Sequence, residues 1–166
     1  KKWYKVDHTD AGNLGRAAYG LCELFRAQIA GADLVANPGC YPTAVELGLA
    51  PLLSGGRAQP GAQIIVDAKS GVSGAGRDPK PELHFPEANE SFTAYKIGTH
   101  QHMGEILQTA KTLAGREVNL LFVPHLVPMD RGILATCYVP LAEDTTTDEL
   151  KKLFAEFYAG ERFVRV

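Results

Sequence analysis

The chain has 166 residues, of which 45% are hydrophobic and 22% are charged. This composition is typical of one soluble globular domain with a substantial core. Seventeen Lys and Arg residues against nineteen Asp and Glu residues give a net charge of −2, without the basic excess that nucleic-acid binding requires. No stretch approaches the ~20 apolar residues of a membrane span, and the start of the chain lacks the apolar core of a signal peptide. We therefore expect a cytoplasmic protein (plastid if from a plant) with no nucleic-acid or membrane partner.

Hydrophobic spacing and turn residues predict interleaved helices and strands. In chain order, the predicted elements are a helix over 19–30, a buried strand over 33–37, a helix from Cys40 to near Gly55, a strand over 62–70, an irregular loop over 70–82, a β-like segment over 92–99, a helix over 104–115, neighbouring antiparallel strands over 117–128 and 132–141, a capped helix over 145–160 and a strand beginning at Phe163. This order predicts an α+β fold with a mixed, largely antiparallel sheet and helices on one face. Because the last strand has no room for completion, we expect the chain to be part of a longer protein.

Three cysteines (Cys22, Cys40 and Cys137) have no CxxC spacing, so the sequence favours free thiols over disulfides or a zinc ribbon. Cys22 lies inside a predicted helix and Cys137 inside a predicted strand, so both are expected in the core. Cys40 lies at a predicted helix start, where unpaired N–H groups and the helix dipole stabilise a thiolate. Gly39 would leave space for a substrate carbonyl beside the sulfur. The alternative is a small buried cysteine that only packs.

A nucleophilic cysteine needs an acid or base nearby, and the stretch "GTHQHMGEI" offers His100, His102 and Glu105. In an extended strand the two histidines share one face, and Glu105, in the following helix, could orient an imidazole. One alternative is a metal site completed by His84 or His125, but it lacks a defined third or fourth ligand. Another is a surface loop in which these histidines have no role. We predict no metal.

The loop "SGVSGAGR" carries groups that can hold an anion. Ser70 and Ser73 supply hydroxyls, the glycines supply free N–H groups, and Arg77 supplies a guanidinium. The loop is not a dinucleotide fingerprint, because no helix follows it to receive a pyrophosphate. A flexible linker is the alternative. Arg131, in "PMDRG", would pair with a substrate carboxylate or phosphate, or else cap a turn.

Five motifs follow one another along the chain: "YGLCELFR", "ANPGCYPTA", "KSGVSGAGR", "GTHQHMGEI" and "FVPHLVPMDRGIL". Their order resembles that of the N-acetyl-gamma-glutamyl-phosphate reductases, NADPH-dependent enzymes of arginine biosynthesis, and the resemblance extends from Trp3 to Val166. It implies reduction of N-acetylglutamyl 5-phosphate, a small acyl phosphate, to N-acetylglutamate 5-semialdehyde through a cysteine thioester.

The resemblance also implies roles for individual residues. Cys40 would be the nucleophile, while His100 and His102 would give acid/base help and Glu105 would position them. The remaining implied site residues are the substrate contacts Ser70, Ser73, Arg77 and Arg131 and the NADP contacts Gly39, Ser70 and Gly71. NADP itself would be bound mainly by a domain absent from this chain, because no glycine fingerprint follows a strand here.

The domain organisation that the resemblance implies has two parts. Residues 1–36 would be the tail of the NADP-binding Rossmann domain with a connecting helix. Residues 37–166 would be a truncated catalytic and dimerisation domain, similar to the C-terminal domain of glyceraldehyde-3-phosphate dehydrogenase. We expect a homo-oligomer, a dimer or a tetramer, and no turnover by this chain alone.

Some positions depart from the motifs usual in this family. The family more often has Pro at Cys22, Arg at Gln101, Pro at Gly104 and Thr at Asp130. A neutral Gln101 would weaken the attraction for a substrate phosphate. The alternative functions are a sister reductase that acts on N-acetyl-aminoadipyl phosphate or aspartyl phosphate, and a dimerisation module without catalysis.

Overall fold

The computed structural model describes residues 2–166 and contains helices and a small mixed sheet. In chain order the elements are β1 (Ala18–Tyr19), α1 (Cys22–Ala30), β2 (Val35–Ala36), α2 (Cys40–Ser54), β3 (Ile64–Gly71), α3 (Phe85–Ala88), β4 (Thr93–Ala94), α4 (His102–Ala114), β5 (Leu120–Val127), β6 (Ile133–Tyr138) and α5 (Thr147–Phe157). Single 3₁₀ turns occupy Ala11–Asn13, Val72–Ala75 and Pro81–Leu83. The predicted helix starting at Cys40, the strand over 62–70 and the capped last helix are confirmed.

The main sheet has the strand order β4-β5-β3-β6. β3 pairs in parallel with β5 and antiparallel with β6, and β4 pairs antiparallel with β5. The predicted mixed sheet is confirmed, but the prediction that β5 and β6 are neighbours is wrong, because β3 lies between them. The connecting segment crosses the end of β3, where the N–H of Gly71 donates to the carbonyl of Gly132 and that of Val72 to Met129.

One face of this sheet is covered by helices. α2 and α4 pack on each other, and α2 also packs on β6. The buried side chains that join these elements are Val45, Leu49, Val66, Ala68, Ile106 and Phe122. Val66 and Ala68 alternate with exposed or half-buried residues along β3, as a strand with one covered face requires. The predicted helices on one face of the sheet are therefore confirmed.

The opposite face of the sheet keeps large apolar side chains in solvent. Ile65 in β3 lies opposite Tyr138 in β6, and Tyr138 is 56% exposed. Leu134, on the same strand as Tyr138, is 62% exposed. We call this the open face.

Several predicted elements are shorter or absent. Only Val35–Ala36 of the predicted strand over 33–37 is a strand, which pairs with the two-residue strand β1. Both of its residues are exposed, so the prediction that this strand is buried is wrong. The segment over 92–99 keeps only Thr93–Ala94 as a strand. In the described part of the chain no strand forms at Phe163, since no neighbouring strand pairs with it there.

The cysteines outside the site divide between surface and sheet. Cys22 is exposed at the first residue of α1, so the prediction that it lies in the core is wrong. Cys137 lies inside β6 as predicted, and burial raises the pKa of its thiol to about 11. Within residues 2–166, no helix is both long and apolar enough to cross a membrane.

Candidate active site

Cys40 is the first residue of α2 and its side chain is exposed. Gly39 takes the N-cap position with extended backbone angles (φ −66°, ψ 160°), and its carbonyl accepts from the Thr43 N–H at 3.0 Å. Pro42 lies in the first turn, where a missing N–H removes no hydrogen bond. The predicted helix start is confirmed, and the alternative of a cysteine that only fills the core is wrong.

Cys40 opens onto a cavity of about 520 Å³. The residues that line it and that bear on its chemistry are Cys40, Tyr41, Ser70, Lys80, Tyr95, Lys96, His100, Gln101 and His102. The structure therefore brings the cysteine and the two predicted histidines, from separate parts of the chain, to one wall of one cavity.

His102 lies against the turn that carries Cys40. A β-carbon placed on Gly39 would lie 2.6 Å from the His102 Nε2 atom, so the imidazole occupies the space that glycine leaves. A histidine ring, and not open space for a substrate carbonyl, therefore lies beside Gly39. The His102 Nδ1 atom is buried without a hydrogen-bond partner, and burial lowers the pKa of the ring although Glu105 opposes the change. His102 is thus a neutral base next to the cysteine turn.

His100 is held more tightly than His102. Its side chain is only 4% exposed and packs against the rings of Tyr41, Tyr95 and Phe122. Its Nδ1 atom accepts from the backbone N–H of His102 at 3.1 Å, so this nitrogen carries no proton.

The two histidines stay neutral at pH 7. They do not lie on the predicted extended strand. Burial, with help from His102 and Lys96, lowers the pKa of His100 to about 4. The two residues lie at a helix start, with His102 as the first residue of α4. Their ring centroids are nevertheless only 4.8 Å apart.

Glu105 bonds to the cysteine turn. Its Oε1 atom accepts from the Gly39 N–H at 2.8 Å and from the Tyr19 hydroxyl at 2.6 Å. Among the hydrogen bonds of the described residues, none joins Glu105 to an imidazole, contrary to the expected orienting role. Sequence reasoning missed Tyr19, which lies at the boundary of a predicted helix and carries no local signal for this contact.

Two hydrogen-bonded tyrosines, Tyr41 and Tyr95, also line the cavity. The Tyr41 hydroxyl donates to the carbonyl of His125 at 3.0 Å, and the Tyr95 hydroxyl donates to the Tyr41 hydroxyl at 3.2 Å. Burial raises the pKa of both phenols, so both stay protonated. Sequence reasoning missed these tyrosines, although Tyr41 directly follows the cysteine in "NPGCYPTA".

The serine-glycine loop lies beside the cavity and contributes one of its predicted residues to the wall. Ser70 is buried there, with its hydroxyl donating to the Gly71 carbonyl at 3.0 Å. Ser73, Arg77 and Arg131 are exposed and are not among the lining residues.

The serine-glycine loop and the "MDRG" segment are packed on each other. A β-carbon on Gly71 would lie 2.7 Å from the backbone nitrogen of Arg131, and the Ser73 N–H donates to the Asp130 carbonyl. Both glycines predicted to contact a cofactor, Gly39 and Gly71, therefore have internal packing reasons to be glycine.

Two departures from the family motifs have structural counterparts. Gln101 accepts from the Lys96 ammonium at 3.4 Å, and Lys80 also lines the cavity, so cations face this site without an arginine at position 101. The indole of Trp3 occupies the place that a side chain at Gly104 would need. Sequence reasoning missed the two lysines.

Residues 2–166 contain no set of ligands for the metal site considered as an alternative. No group of three or more His, Cys, Asp or Glu side chains there is arranged to hold a metal ion. His84 is exposed, and the His125 ring lies next to the Ala68 carbonyl at 3.2 Å.

The family model described as "Semialdehyde dehydrogenase, dimerisation domain" matches residues 40–166. The chain belongs to this family. It is 56% identical over 166 residues to an N-acetyl-gamma-glutamyl-phosphate reductase of Desulforudis audaxviator and 57% identical over 167 residues to that of Symbiobacterium thermophilum. Each match covers 100% of this chain and 48% of the relative, so the chain spans about half the length of these curated relatives.

Solved structures of the same fold belong to more distant proteins. Aspartate-semialdehyde dehydrogenase II from Vibrio cholerae superposes with a TM-score of 0.62 at 12% identity, over 84% of this chain and 48% of that one. The enzyme from Francisella tularensis gives 0.62 at 13% identity, over 86% and 52%. At this identity the likeness confirms the α+β fold of the family.

Proposed function

We propose that this chain is the catalytic and dimerisation part of an N-acetyl-gamma-glutamyl-phosphate reductase in the cytoplasm. That enzyme reduces N-acetylglutamyl 5-phosphate to N-acetylglutamate 5-semialdehyde, a step of arginine biosynthesis, with NADPH. The observation that carries the proposal is the exposed Cys40 at a helix start, on a cavity that it shares with two neutral histidines. The names of relatives more than 50% identical support the choice of substrate.

In the first step the Cys40 sulfur attacks the acyl carbonyl. A C–S bond forms, the thiol proton passes to His102, and the C–O bond to the phosphate breaks, which leaves a thioester and free phosphate. The first N–H groups of α2 have no partner inside the helix and can bind the developing oxyanion. Lys80 and Lys96 supply positive charge for the acyl phosphate in the same cavity.

In the second step the thioester is reduced and released. A nicotinamide cofactor, when bound, supplies the hydride. Hydride addition leaves a tetrahedral alkoxide on Cys40, which takes the proton that His102 holds from the first step. When this thiohemiacetal collapses, its C–S bond breaks and its hydroxyl proton passes through the His102 ring to the Cys40 sulfur, so that the semialdehyde is released and the cysteine thiol is regenerated. We assign this proton transfer to His102 because its Nε2 lies at the Gly39 turn, whereas His100 is packed among aromatic rings.

The predicted NADP contacts in this chain offer little to hold the cofactor. The Ser70 hydroxyl is engaged by the Gly71 carbonyl, and the two glycines pack against His102 and Arg131. We therefore propose that residues outside this chain hold most of the cofactor. In this arrangement residues 1–36 belong to the end of the cofactor domain and residues 37–166 form the catalytic and dimerisation domain.

The experiment that tests the proposal assays the longer enzyme containing this chain with N-acetylglutamate semialdehyde, phosphate and NADP. Cys40→Ser should lower the rate by at least about a thousandfold, because the thioester cannot form. Cys22→Ser is the matched control, since Cys22 is also an exposed cysteine at the first residue of a helix. Nearly unchanged activity in Cys40→Ser would overturn the proposed role of Cys40. Robust turnover by the isolated chain would overturn the prediction that residues outside this chain hold most of the cofactor.

A panel of acyl phosphates on the same enzyme decides between the sister substrates. The N-acetyl-aminoadipyl and N-acetylglutamyl groups differ by one methylene, which is worth about 1–3 kcal/mol in a pocket. We expect the N-acetylglutamyl compound to have the highest kcat/KM. A higher value for the aminoadipyl or aspartyl compound would reassign the substrate.

A second proposed function is the pairing of two copies of this chain. The open face exposes Ile65, Leu134 and Tyr138, and the matched family is described as a dimerisation domain. We propose that two copies pair through this face. Leu134→Asp would place a charge there and should lower the molar mass in light scattering after gel filtration, while Leu14→Asp, at another exposed leucine, should not. An unchanged mass in Leu134→Asp would move the interface elsewhere.

A further inference from the structure

Beneath the Cys40 turn, one hydroxyl lies between two carboxyl groups. The Tyr19 hydroxyl is 2.6 Å from Oε1 of Glu105 and 3.1 Å from Oε1 of Glu46. A tyrosine hydroxyl has one proton to donate. It can therefore donate to only one of these oxygens, and the other contact is a hydrogen bond only if that carboxyl carries a proton itself.

The distances decide which carboxyl accepts the tyrosine proton. The 2.6 Å contact to Glu105 has the length of an O–H···O⁻ hydrogen bond, whereas 3.1 Å is longer than that range. Glu105 also accepts the Gly39 N–H at 2.8 Å, so both of its partners are donors, as an ionised carboxylate requires. Glu46 is left as the group that must donate.

The surroundings of Glu46 suit a neutral acid. Its side chain on α2 is only 2% exposed, and its Oε2 atom is buried without a hydrogen-bond partner. Tyr19 faces it from β1, and Glu105 and Thr109 face it from α4, so the charged neighbour is a second acid. Burial, with a smaller contribution from Glu105, raises the pKa of Glu46 to about 8, although Thr109 and Tyr19 act in the opposite direction.

We propose that Glu46 is a positioning residue whose neutral carboxyl donates to Tyr19, so that Tyr19 donates to Glu105 and Glu105 holds the Gly39 N–H at the turn that presents Cys40. This inference rests on the proposed role of Cys40 as the nucleophile. In this arrangement the Glu46 proton keeps the hydrogen bonds among Tyr19, Glu105 and Gly39 in place and takes no part in the reaction.

The hydrogen bonds that hold the cysteine turn depend on pH, because Glu46, which lies beneath the turn, can ionise. When Glu46 ionises in mildly alkaline solution, the hydrogen bond to Tyr19 loses its donor, and a second negative charge faces Glu105. The Gly39 contact then weakens. Glu46→Gln keeps a donor of the same shape without a titration, while Glu46→Leu removes the donor at every pH.

The test is the rate at which iodoacetamide alkylates Cys40 in the full chain, measured by peptide mass spectrometry so that Cys22 is counted separately. Rates are compared between variants at the same pH and not between one pH and another. At pH 7 Glu46→Gln should match the wild type within about twofold, and Glu46→Leu should be about tenfold slower. At about pH 9 the wild type should be several-fold slower than Glu46→Gln. Glu117→Gln, an exposed glutamate elsewhere, should follow the wild type at both pH values.

A spectroscopic measurement keeps the test independent of the folding of Glu46→Leu. Infrared difference spectra of the wild type at pH 7 should contain a protonated-carboxyl band that disappears on raising the pH and is absent from Glu46→Gln. Absence of that band from the wild type, or a ratio of alkylation rates between wild type and Glu46→Gln that does not change with pH, would overturn the proposal. Neither measurement needs turnover, so a failure of the reductase assay is distinguishable from a failure here.

Discussion

The turn that carries Cys40 has two unlike sides. On the cavity side, an exposed thiol shares one cavity with His102 and His100, two bases kept neutral by burial. On the inner side, Tyr19 and Glu105 tie the turn to a buried acid. Burial has opposite results on the two sides, since it removes a proton from the bases and adds one to the acid. The side that carries the thiol is exposed, and the side that holds the turn in place is buried.

After replacement of the cysteine itself, replacement of a histidine should have the largest effect, and the two histidine variants should differ. His102→Gln in the longer enzyme is expected to lower kcat by about 10²–10⁴-fold, because the ring that we propose as acceptor of the thiol proton is lost. His100→Gln should lower kcat by about tenfold and act through the position of His102. Single-turnover kinetics measures both variants. Equal losses would contradict the assignment of separate roles.

The two sides should respond to pH in opposite directions. The folded pKa of His100, about 4, lies below its ordinary value of 6.5, so the unfolded chain binds more protons and stability falls as the pH falls through this window. The folded pKa of Glu46, about 8, lies above its ordinary value of 4.5, so stability falls as the pH rises from 4.5 to 8.

Urea unfolding of the full chain at a series of pH values measures both effects. His100→Gln should lose less stability than the wild type between pH 6.5 and 4, by up to about 3 kcal/mol. Glu46→Gln should gain stability relative to the wild type as the pH approaches 8 and lose that advantage near 4.5. The same pH dependence in both variants and the wild type would contradict burial as the source of neutrality.

Gly39→Ala tests the fit between the turn and the His102 ring, because its added methyl group would lie 2.6 Å from the His102 Nε2 atom. The ring must move, so we expect kcat to fall by tens-fold while KM changes little. Gly31→Ala, where an added methyl group meets nothing within 4 Å, is the matched control. Circular dichroism should show both variants folded. An unaffected kcat in Gly39→Ala would mean that His102 can shift without consequence.

Tyr19→Phe should have the smallest effect and tests the inner side alone. It removes the hydroxyl between the two carboxyl groups and leaves buried acids with fewer partners, which should lower the free energy of unfolding by about 1–3 kcal/mol. Tyr4→Phe, at an exposed tyrosine, is the control. Chemical denaturation at pH 7 gives both values. Equal stability of Tyr19→Phe and the wild type would contradict the importance of this contact.

Local sequence signals predicted the cavity side better than the inner side. Gly39, Cys40 and Pro42 are adjacent, and a helix start is a local feature, so its position followed from residue types alone. His100 and His102 also lie within one motif. Tyr19, by contrast, is 27 residues from Glu46 and 86 residues from Glu105, and no periodicity reports a contact over such separations.

The order of the strands was unpredictable for a related reason. The runs that became β5 and β6 are separated by a short segment, which favours a hairpin when only neighbouring residues are considered. The backbone hydrogen bonds from Gly71 and Val72 to that segment draw it over the end of β3 instead. The fold class could be predicted from the alternation of elements, but the pairing depended on contacts between distant segments.

The hydrogen bond from the His102 N–H to His100 makes the first N–H of α4 depend on an unprotonated imidazole. Acid that protonates His100 removes this acceptor and places a cation at the positive end of the helix dipole. The same proton therefore loosens the start of α4, from which His102 extends to the cysteine turn. In the proposed reaction the base is His102, so protonation of its neighbour His100 withdraws the support of that base, and the acid limit is set by the fold and not by the chemistry of the thiol.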